Sequence, residues 1–432
     1  MKNNITFSII TFGCKINQFE SNEFFSEMIS RGFCPEEEDS IADVIIINSC
    51  SVTNKTEKKI LKKTRKLRRE RSDCYIVLAG CFGEVYPEDI KEKGNVDHVT
   101  GNLKRSRLIE FLSSRFLPEL DESNNSQSVK VAVKRTRSFL KITDGCNNQC
   151  TYCVIWKARG KIISESIEKV VSDVEKSIDD DFKEIVLLGT QLSCYGSDIG
   201  TSLDKLLERL YDEFGKTGIK IRLSSLEPVE NNIFQSVIEY IQKGFICRHL
   251  HIPVQSLSDR ILNDMHRNYS VSDIFDLSEL LKKIPEISIG VDVITGFPGE
   301  SSKYFHETLE NLKKLTPLTY IHVFPFSPKK NTPAETYSDQ VEIKEKKERA
   351  TILNDLSDQL RRNFYSKFIN KTLDALIEEN KKDDLYEATT DNFIKILVRG
   401  ADEENINTYE TIEIQDIVGY NTSLRLTGTI TL

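Results

Sequence analysis

SFLKITDGCNNQCTYC, residues 138–153, joins an apolar, β-rich run (139–143) to a loop that holds three cysteines within eight residues. Thiolate is the soft ligand that iron–sulfur chemistry selects, and three thiols this close can wrap one cluster. Three protein ligands would leave one iron of a four-iron cluster open, and an open metal position is a reactive one. The plainer readings are a zinc knuckle lacking its fourth ligand, or chance clustering. C-x3-C-x2-C is an uncommon zinc spacing. Outward from this loop the pattern repeats. Strand candidates follow at 139–143, 184–188, 220–224, 250–254, 288–294 and 320–324, with helical stretches such as 166–178 and 202–214 between them. Six βα repeats predict an open or partial barrel rather than the closed eightfold form. A charged helical stretch at 341–368 completes a domain spanning 129–368.

The flanks read differently. Upstream, apolar runs at 5–12, 43–48 and 75–79, with a fourth candidate at 96–100, alternate with helical patterns, as at 18–31. Short continuous apolar strands separated by helices predict parallel βαβ units, here a domain of residues 1–120. PELDESNNSQS (118–128) has no periodicity and reads as a linker. Downstream, β-rich pieces at 372–378, 393–398, 410–418 and 423–430, punctuated by Gly400, Gly419 and Gly428, predict a small antiparallel β-barrel at 369–432. The expected fold is thus α/β: a parallel-sheet domain, a partial (β/α)6 barrel and a small β-barrel.

Composition bounds the function. The 432 residues include 39% hydrophobic and 29% charged residues, with a formal net charge of −8. That is enough apolar surface for real cores and excludes global disorder. No run of eighteen uncharged apolar residues occurs, so no membrane-spanning helix is expected. Residues 1–12 read as a strand rather than a signal peptide. A cytoplasmic location keeps thiols reduced, so the ten cysteines point to metal ligands before disulfides.

A second trio is dispersed: Cys14, Cys50 and Cys81. Each follows an apolar strand, in IITFGC, VIIINSC and YIVLAGC. Strand carboxyl ends of an open parallel sheet converge on one crevice, so these thiols can meet. Three buried small hydrophobes is the equal alternative from the residues alone. Cys34, Cys74 and Cys247 read as structural. Cys194, after a strand end, could approach the site but reads first as filler.

The three-cysteine loop, with an aromatic residue (Tyr152) before the last Cys, resembles the radical S-adenosylmethionine superfamily. TFGCKINQFES, IIINSCSVTNKTEKK and LAGCFGE resemble the N-terminal domain of the radical methylthiotransferases, and EIVLLGTQ, RLSSLEP, HIPVQSLSD, DVITGFPGE and HVFPFSPKKNTPA extend the likeness along the chain. The resemblance implies two [4Fe–4S] clusters, on Cys146, Cys150 and Cys153 and on Cys14, Cys50 and Cys81, each with one open iron, and a TRAM-like terminal barrel. It implies S-adenosylmethionine bound to the first cluster, with Tyr152 near its adenine. By the same resemblance, reduction there would release a radical able to take the hydrogen from C2 of a modified adenine, and the second cluster would supply the sulfur. GCK-x-N followed by a lysine-rich segment is most similar to the branch acting on N6-threonylcarbamoyladenosine at position 37, in the tRNA anticodon loop. The isopentenyladenosine branch has Gln after that Cys, and the branch acting on a ribosomal-protein aspartate has Pro. An electron donor and a sulfur donor are implied partners. Trp156 and Leu257 depart from the usual Pro and Gly and bear on the exact substrate.

Charge is unevenly spread. Residues 55–72 hold ten Lys/Arg and two Glu, a net of +8. Ile60, Thr64 and Leu67 give a narrow packing face, so Lys58, Lys59, Lys62, Lys63, Arg65, Lys66, Arg68 and Arg69 form a cationic helix side suited to phosphates, an ordinary solvated face being the alternative. Residues 366–432 sum to −6, which would suit a basic protein target instead. Gly189, Thr190, Arg222, Ser224, Glu227 and Gln255, with Gly296–Pro298, stand at predicted strand ends and are the candidate cofactor pocket. His249 and His251 alternate on one strand face and read as structural. The readings are therefore a tRNA-modifying enzyme, a methylthiotransferase acting on a basic protein, or a metal-stabilised RNA-binding module without catalysis. Nothing in the sequence demands more than a monomer.

Overall fold

The computed structural model describes residues 5–39, 41–117, 136–228, 231–382 and 384–431. The expected linker at 118–128 lies outside the described residues. The described chain forms two compact units. The first takes residues 5–117, 144–161 and 327–335; the second takes the remainder. The cysteine loop therefore clusters with the N-terminal sheet and not with the barrel strand that leads into it.

In the first unit, β1 (Thr6–Thr11), β2 (Cys34–Pro35), β3 (Val44–Ser49), β4 (Tyr75–Gly80) and β5 (His98–Val99) form a parallel sheet in the order β2-β1-β3-β4-β5. Every residue of β3 is buried, as a central strand covered on both faces requires. One apolar cluster (Phe7, Phe24, Met28, Ile46, Val77) lies on one side, and a second (Ile45, Ile47, Ile60, Leu67, Leu78) on the other. The chain order reverses between β1 and β3, and ligands of open parallel sheets bind beyond such a switch point. Helix α1 (Lys15–Ser30) follows β1 and α2 (Asn54–Glu70) follows β3. Thr53 caps α2 by accepting from the Thr56 amide, and Ile60, Thr64 and Leu67 are its buried stripe, as their spacing predicts.

In the second unit, β6 (Ser138–Asp144), β7 (Ile163–Ser164), β8 (Glu184–Gly189) and β9 (Lys220–Leu223) form one sheet in the order β7-β6-β8-β9. β10 (His249–Gln255), β11 (Ser288–Thr295) and β12 (Tyr320–Pro325) form another. All six expected βα strands are present, and the pairings β6–β8, β8–β9, β10–β11 and β11–β12 are parallel. The helix Ile343–Tyr365 ends this part. A closed barrel follows, with order β13 (Thr372–Lys382), β14 (Leu385–Thr390), β15 (Lys395–Arg399), β17 (Arg425–Ile430), β16 (Tyr409–Val418). Two features differ from expectation. β14 is an additional strand, and β15 pairs with β17 in parallel, because the chain crosses to β16 before returning beside β15.

Candidate metal centre

Cys50 and Cys81 directly follow β3 and β4, and Cys14 lies three residues beyond β1. These three strands are adjacent, so the sheet itself gathers the three thiols. The turn into Cys14 needs a glycine. Gly13 has φ +136°, and a Cβ there would approach Asn17 Oδ1 at 2.7 Å and Cys50 Cβ at 2.8 Å. Asn17, fully buried on α1, accepts from the Cys14 thiol (3.2 Å) and donates to Asn48 Oδ1 (3.1 Å) and the Ser49 carbonyl (3.3 Å). Asn48 donates back to the Asn17 carbonyl at 2.9 Å. This closed amide pair fixes the start of α1, next to Cys14, against the end of β3.

Two of the three sulfurs accept an N–H. The Val52 amide donates to Cys50 Sγ (3.4 Å) and Asn102 Nδ2 to Cys81 Sγ (3.3 Å). Burial pushes Cys50 up to about 12, the neighbouring Cys81 and Cys14 push the same way, and Arg159 opposes them. Burial also raises Cys81, against Arg159 and Asn102. Three thiolates this close repel one another, and a metal cluster is what removes that repulsion. Convergent free thiols that receive N–H donors therefore fit an iron–sulfur cluster.

Arg159 is a buried cation of this site. It is 5% exposed and donates to buried Glu20 (2.8 Å) and to Asp144 (3.0 Å). It sits on the short helix Ile155–Arg159, just after the second cysteine loop. That loop leaves β6 through Gly145, at φ +81°, where an added Cβ would overlap the Lys161 carbonyl. The Cys146 amide donates to the Gly160 carbonyl (3.0 Å), the Cys153 amide to the Cys150 carbonyl (3.1 Å), and the Ile155 amide to Cys153 Sγ (3.4 Å). Cys146, Cys150 and Cys153 thus stand in a turn closed at both ends, with a donor on one sulfur. Half-buried Tyr152 lies within it. Lys329, in the same unit, donates to Glu57 (2.7 Å). Burial lowers its pKa, opposed by Glu57, Cys50 and Cys153.

The second unit holds the other expected positions. At the carboxyl ends of β8 and β9, the Gly189 amide donates to Ser224 Oγ (3.3 Å), and Thr190 is half-buried beside it. Glu227 accepts from Gln191 (3.1 Å) and Arg267 (2.9 Å), and Gln255 ends β10 at φ +63°. Arg222 is a correction. It is 1% exposed, doubly bonded to Glu184 (2.7 and 2.9 Å), and donates to the carbonyls of Thr390 and Asp391. Its guanidinium ties β8 to the terminal barrel and is not at a ligand mouth. On α2, Lys58, Lys59, Lys62, Arg65, Lys66 and Arg69 are exposed. Lys63 pairs with Asp39 (2.8 Å), and Arg68 binds Asp97 and the Cys74 carbonyl (2.9 Å), so these two hold the fold. His251, Asp292 and His322 bring their ligand atoms within 4.8 Å of one another (His251–Asp292 2.8 Å, His322–Asp292 3.4 Å), a set able to hold a metal ion, and Tyr320 joins His249 to His251.

Sequence reasoning gave no role to Asn17, Glu20, Asn102, Arg159, Glu57 or Lys329. Asn17 entered only as the last residue of GCK-x-N, and the others stand at no spacing that marks them. Glu57 registered only as one of two acids in a basic helix.

The sequence profile described as Uncharacterized protein family UPF0004 matches residues 6–101, and that of the Radical SAM superfamily matches residues 140–312. The Threonylcarbamoyladenosine tRNA methylthiotransferase MtaB of Bacillus subtilis (strain 168) is 34% identical over 417 residues, covering 92% of this chain and 91% of its own. The tRNA-2-methylthio-N(6)-dimethylallyladenosine synthase of Protochlamydia amoebophila is 29% identical, covering 94% and 93%. Among solved structures, the radical S-adenosylmethionine methyltransferase TsrM of Kitasatospora setae, with cobalamin and a [4Fe–4S] cluster bound, shares the fold at TM-score 0.56 and 12% identity, covering 77% of each chain.

Proposed function

The chain belongs to the radical SAM methylthiotransferase family, and from that premise we propose that it converts N6-threonylcarbamoyladenosine at position 37 of tRNA to its 2-methylthio form. The observation that carries the reading is the gathering of both thiol trios in one compact unit. Cys146, Cys150 and Cys153 would hold one [4Fe–4S] cluster and Cys14, Cys50 and Cys81 the other. When bound, the clusters and S-adenosylmethionine supply the radical, the sulfur and the methyl group, which no side chain can supply at an unactivated C–H bond. The chain's own residues do the rest. Asn17 and Asn48 hold the start of α1, next to Cys14, against the end of β3, next to Cys50. Asn102 and the Val52 and Ile155 amides stabilise thiolate charge on the sulfurs. Arg159 supplies positive charge beside Cys81.

The exposed face of α2 is the proposed tRNA contact. It begins four residues after Cys50, so a phosphate held there would be close to the N-terminal cluster. An unpaired anticodon-loop base can be splayed into a pocket without melting a duplex. Gly189, Thr190, Ser224, Glu227 and Gln255 are the S-adenosylmethionine-binding residues proposed within the second unit. An electron donor, a sulfur donor, a monomeric state and a cytoplasmic location complete the reading. Among the described residues no helix is long and apolar enough to cross a membrane.

One observation favours a second reading. Residues 366–432 carry a net −6, which suits a basic protein substrate better than RNA. Nucleoside mass spectrometry of tRNA from a deletion strain decides between them. Loss of the 2-methylthio form, build-up of unmodified N6-threonylcarbamoyladenosine and recovery on complementation are expected. Persistence of the 2-methylthio form, with no second such enzyme present, would refute the tRNA assignment.

A further inference from the structure

Residues 327–335 form a strap within the first unit. Asn54, four residues after Cys50, donates its side-chain amide to the Pro328 carbonyl (3.0 Å). Tyr86, five residues after Cys81, donates to the Lys330 carbonyl (3.1 Å). Lys157 donates to the Asn331 carbonyl (2.6 Å), and the Ala334 amide to the carbonyl of Thr151, between Cys150 and Cys153. The strap is thus fastened beside both cysteine trios, through acceptors and donors that do not involve the side chain at 329.

That side chain is nevertheless a buried cation. Lys329 is 3% exposed in its side chain and donates to Glu57 Oε1 at 2.7 Å. The same carboxylate oxygen accepts from Ser51 Oγ at 2.5 Å. Among the described residues, Glu57 is the one hydrogen-bond acceptor of this ammonium, so two of its three N–H groups remain for another partner. Withdrawing an ammonium from water is unfavourable, and a strap already closed by its backbone does not need one. Cys50 and Cys153, one from each trio, lie close enough for their charge to act on it once they are thiolates. Iron held by the two trios would select a small soft anion, and the spare N–H groups of the ammonium could donate to it.

We propose that Lys329, held by Glu57 and Ser51, binds an anionic sulfur species, hydrosulfide or methanethiolate, between the two cysteine trios. The inference rests on the family reading and adds to it a residue for holding the sulfur that is transferred. Glu57 cancels much of the long-range charge, so the binding is short-range hydrogen bonding from an oriented ammonium. This favours a ligand lodged at Nζ over a diffuse attraction for anions.

The test uses the full chain, reconstituted anaerobically with iron and sulfide, as wild type and as Lys329→Met, Lys329→Gln and Lys329→Arg. Iron content and circular dichroism establish that each variant is loaded and folded. Sodium sulfide and sodium methanethiolate are then titrated separately against the electron paramagnetic resonance signal of the reduced clusters. Lys329→Met is expected to weaken binding of at least one anion by roughly tenfold or more, the worth of a charge-assisted hydrogen bond. Lys329→Arg is expected to stay within about threefold of wild type, since it restores charged donors. The anion that weakens identifies which sulfur species is held. Wild-type affinity for both anions in Lys329→Met overturns the proposal. If Lys329→Met does not retain iron, Lys329→Gln, which keeps a donor for Glu57 without the charge, decides in the same way against Lys329→Arg. A loaded wild type that responds to neither anion overturns the proposal together with the open-iron reading beneath it. A response that is unchanged by Lys329→Met overturns the proposal alone.

Discussion

Single residues do two kinds of work at this site, and substitution separates them. Cys14, Cys50 and Cys81 are proposed ligands, so Cys50→Ala should remove one cluster and leave the other. Reconstituted protein should then fall from about eight iron per chain to about four. Retention of about eight would remove Cys50 from the ligand set. Arg159 works through carboxylates, joining Glu20 to Asp144. Arg159→Leu leaves Glu20 with Arg105 and strips Asp144 of a buried partner. A loss of about 3–5 kcal/mol is expected in urea unfolding of the apo protein, typical for breaking a buried ion pair. A loss below about 1 kcal/mol would show that the pair does not hold the first unit together. The cysteines were legible because strand ends and short spacings mark them. Arg159 was not, because its partner Glu20 is 139 positions away and no local pattern links them.

At the scale of elements, α2 is where sequence and structure agree most closely. A period of 3.6 needs only a few apolar residues to declare a buried stripe, and Ile60, Thr64 and Leu67 are that stripe. Its cationic face was also legible, but not which charges are free. Lys63 and Arg68 turn back to Asp39 and Asp97, from loops that no helical pattern could indicate. This division shapes the test. Lys58, Lys59, Lys62 and Lys66 together changed to Glu should lower tRNA affinity by tenfold or more at moderate salt and flatten its salt dependence. Thermal stability should stay nearly unchanged, since exposed substitutions shift it by only about 0.5 kcal/mol each. Unchanged affinity in a binding titration would remove α2 from the RNA surface and strengthen the protein-substrate reading. β14 shows the opposite case. Its inward residues Tyr386, Ala388 and Thr390 include one small and one polar side chain, so the alternation that announces a strand is faint. The parallel β15–β17 pair was hidden for another reason: pairing between strands separated by an intervening one leaves no local signature.

At the scale of the molecule, the second unit is held by charges buried where the βα sheets meet the terminal barrel. Arg137 reaches both Glu184 (2.5 Å) and Glu378 (3.1 Å), and Arg222 binds Glu184 and the Thr390 and Asp391 carbonyls. Sequence placed Arg222 in a ligand pocket because it sits near a strand end; the barrel that captures it lies far downstream and was invisible from that position. Burial alone would raise both carboxyls, but Arg222 and Arg137 hold Glu184 at about 2, and Arg137 and Lys395 hold Glu378 at about 2. Carboxyls depressed in the folded state contribute stability that is fully present above their unfolded pKa, near 4.5, and is lost as pH falls through the folded value. Urea midpoints for the second unit should therefore hold from pH 7 to about 5 and fall steeply toward pH 3. Glu378→Gln should be less stable at pH 7, because Arg137 and Lys395 then lose a buried partner, yet its midpoint should fall less between pH 5 and 3. Equal slopes for variant and wild type would mean that the acid sensitivity arises elsewhere, and that the terminal barrel is fastened by its apolar contacts and not by this chain of buried ions.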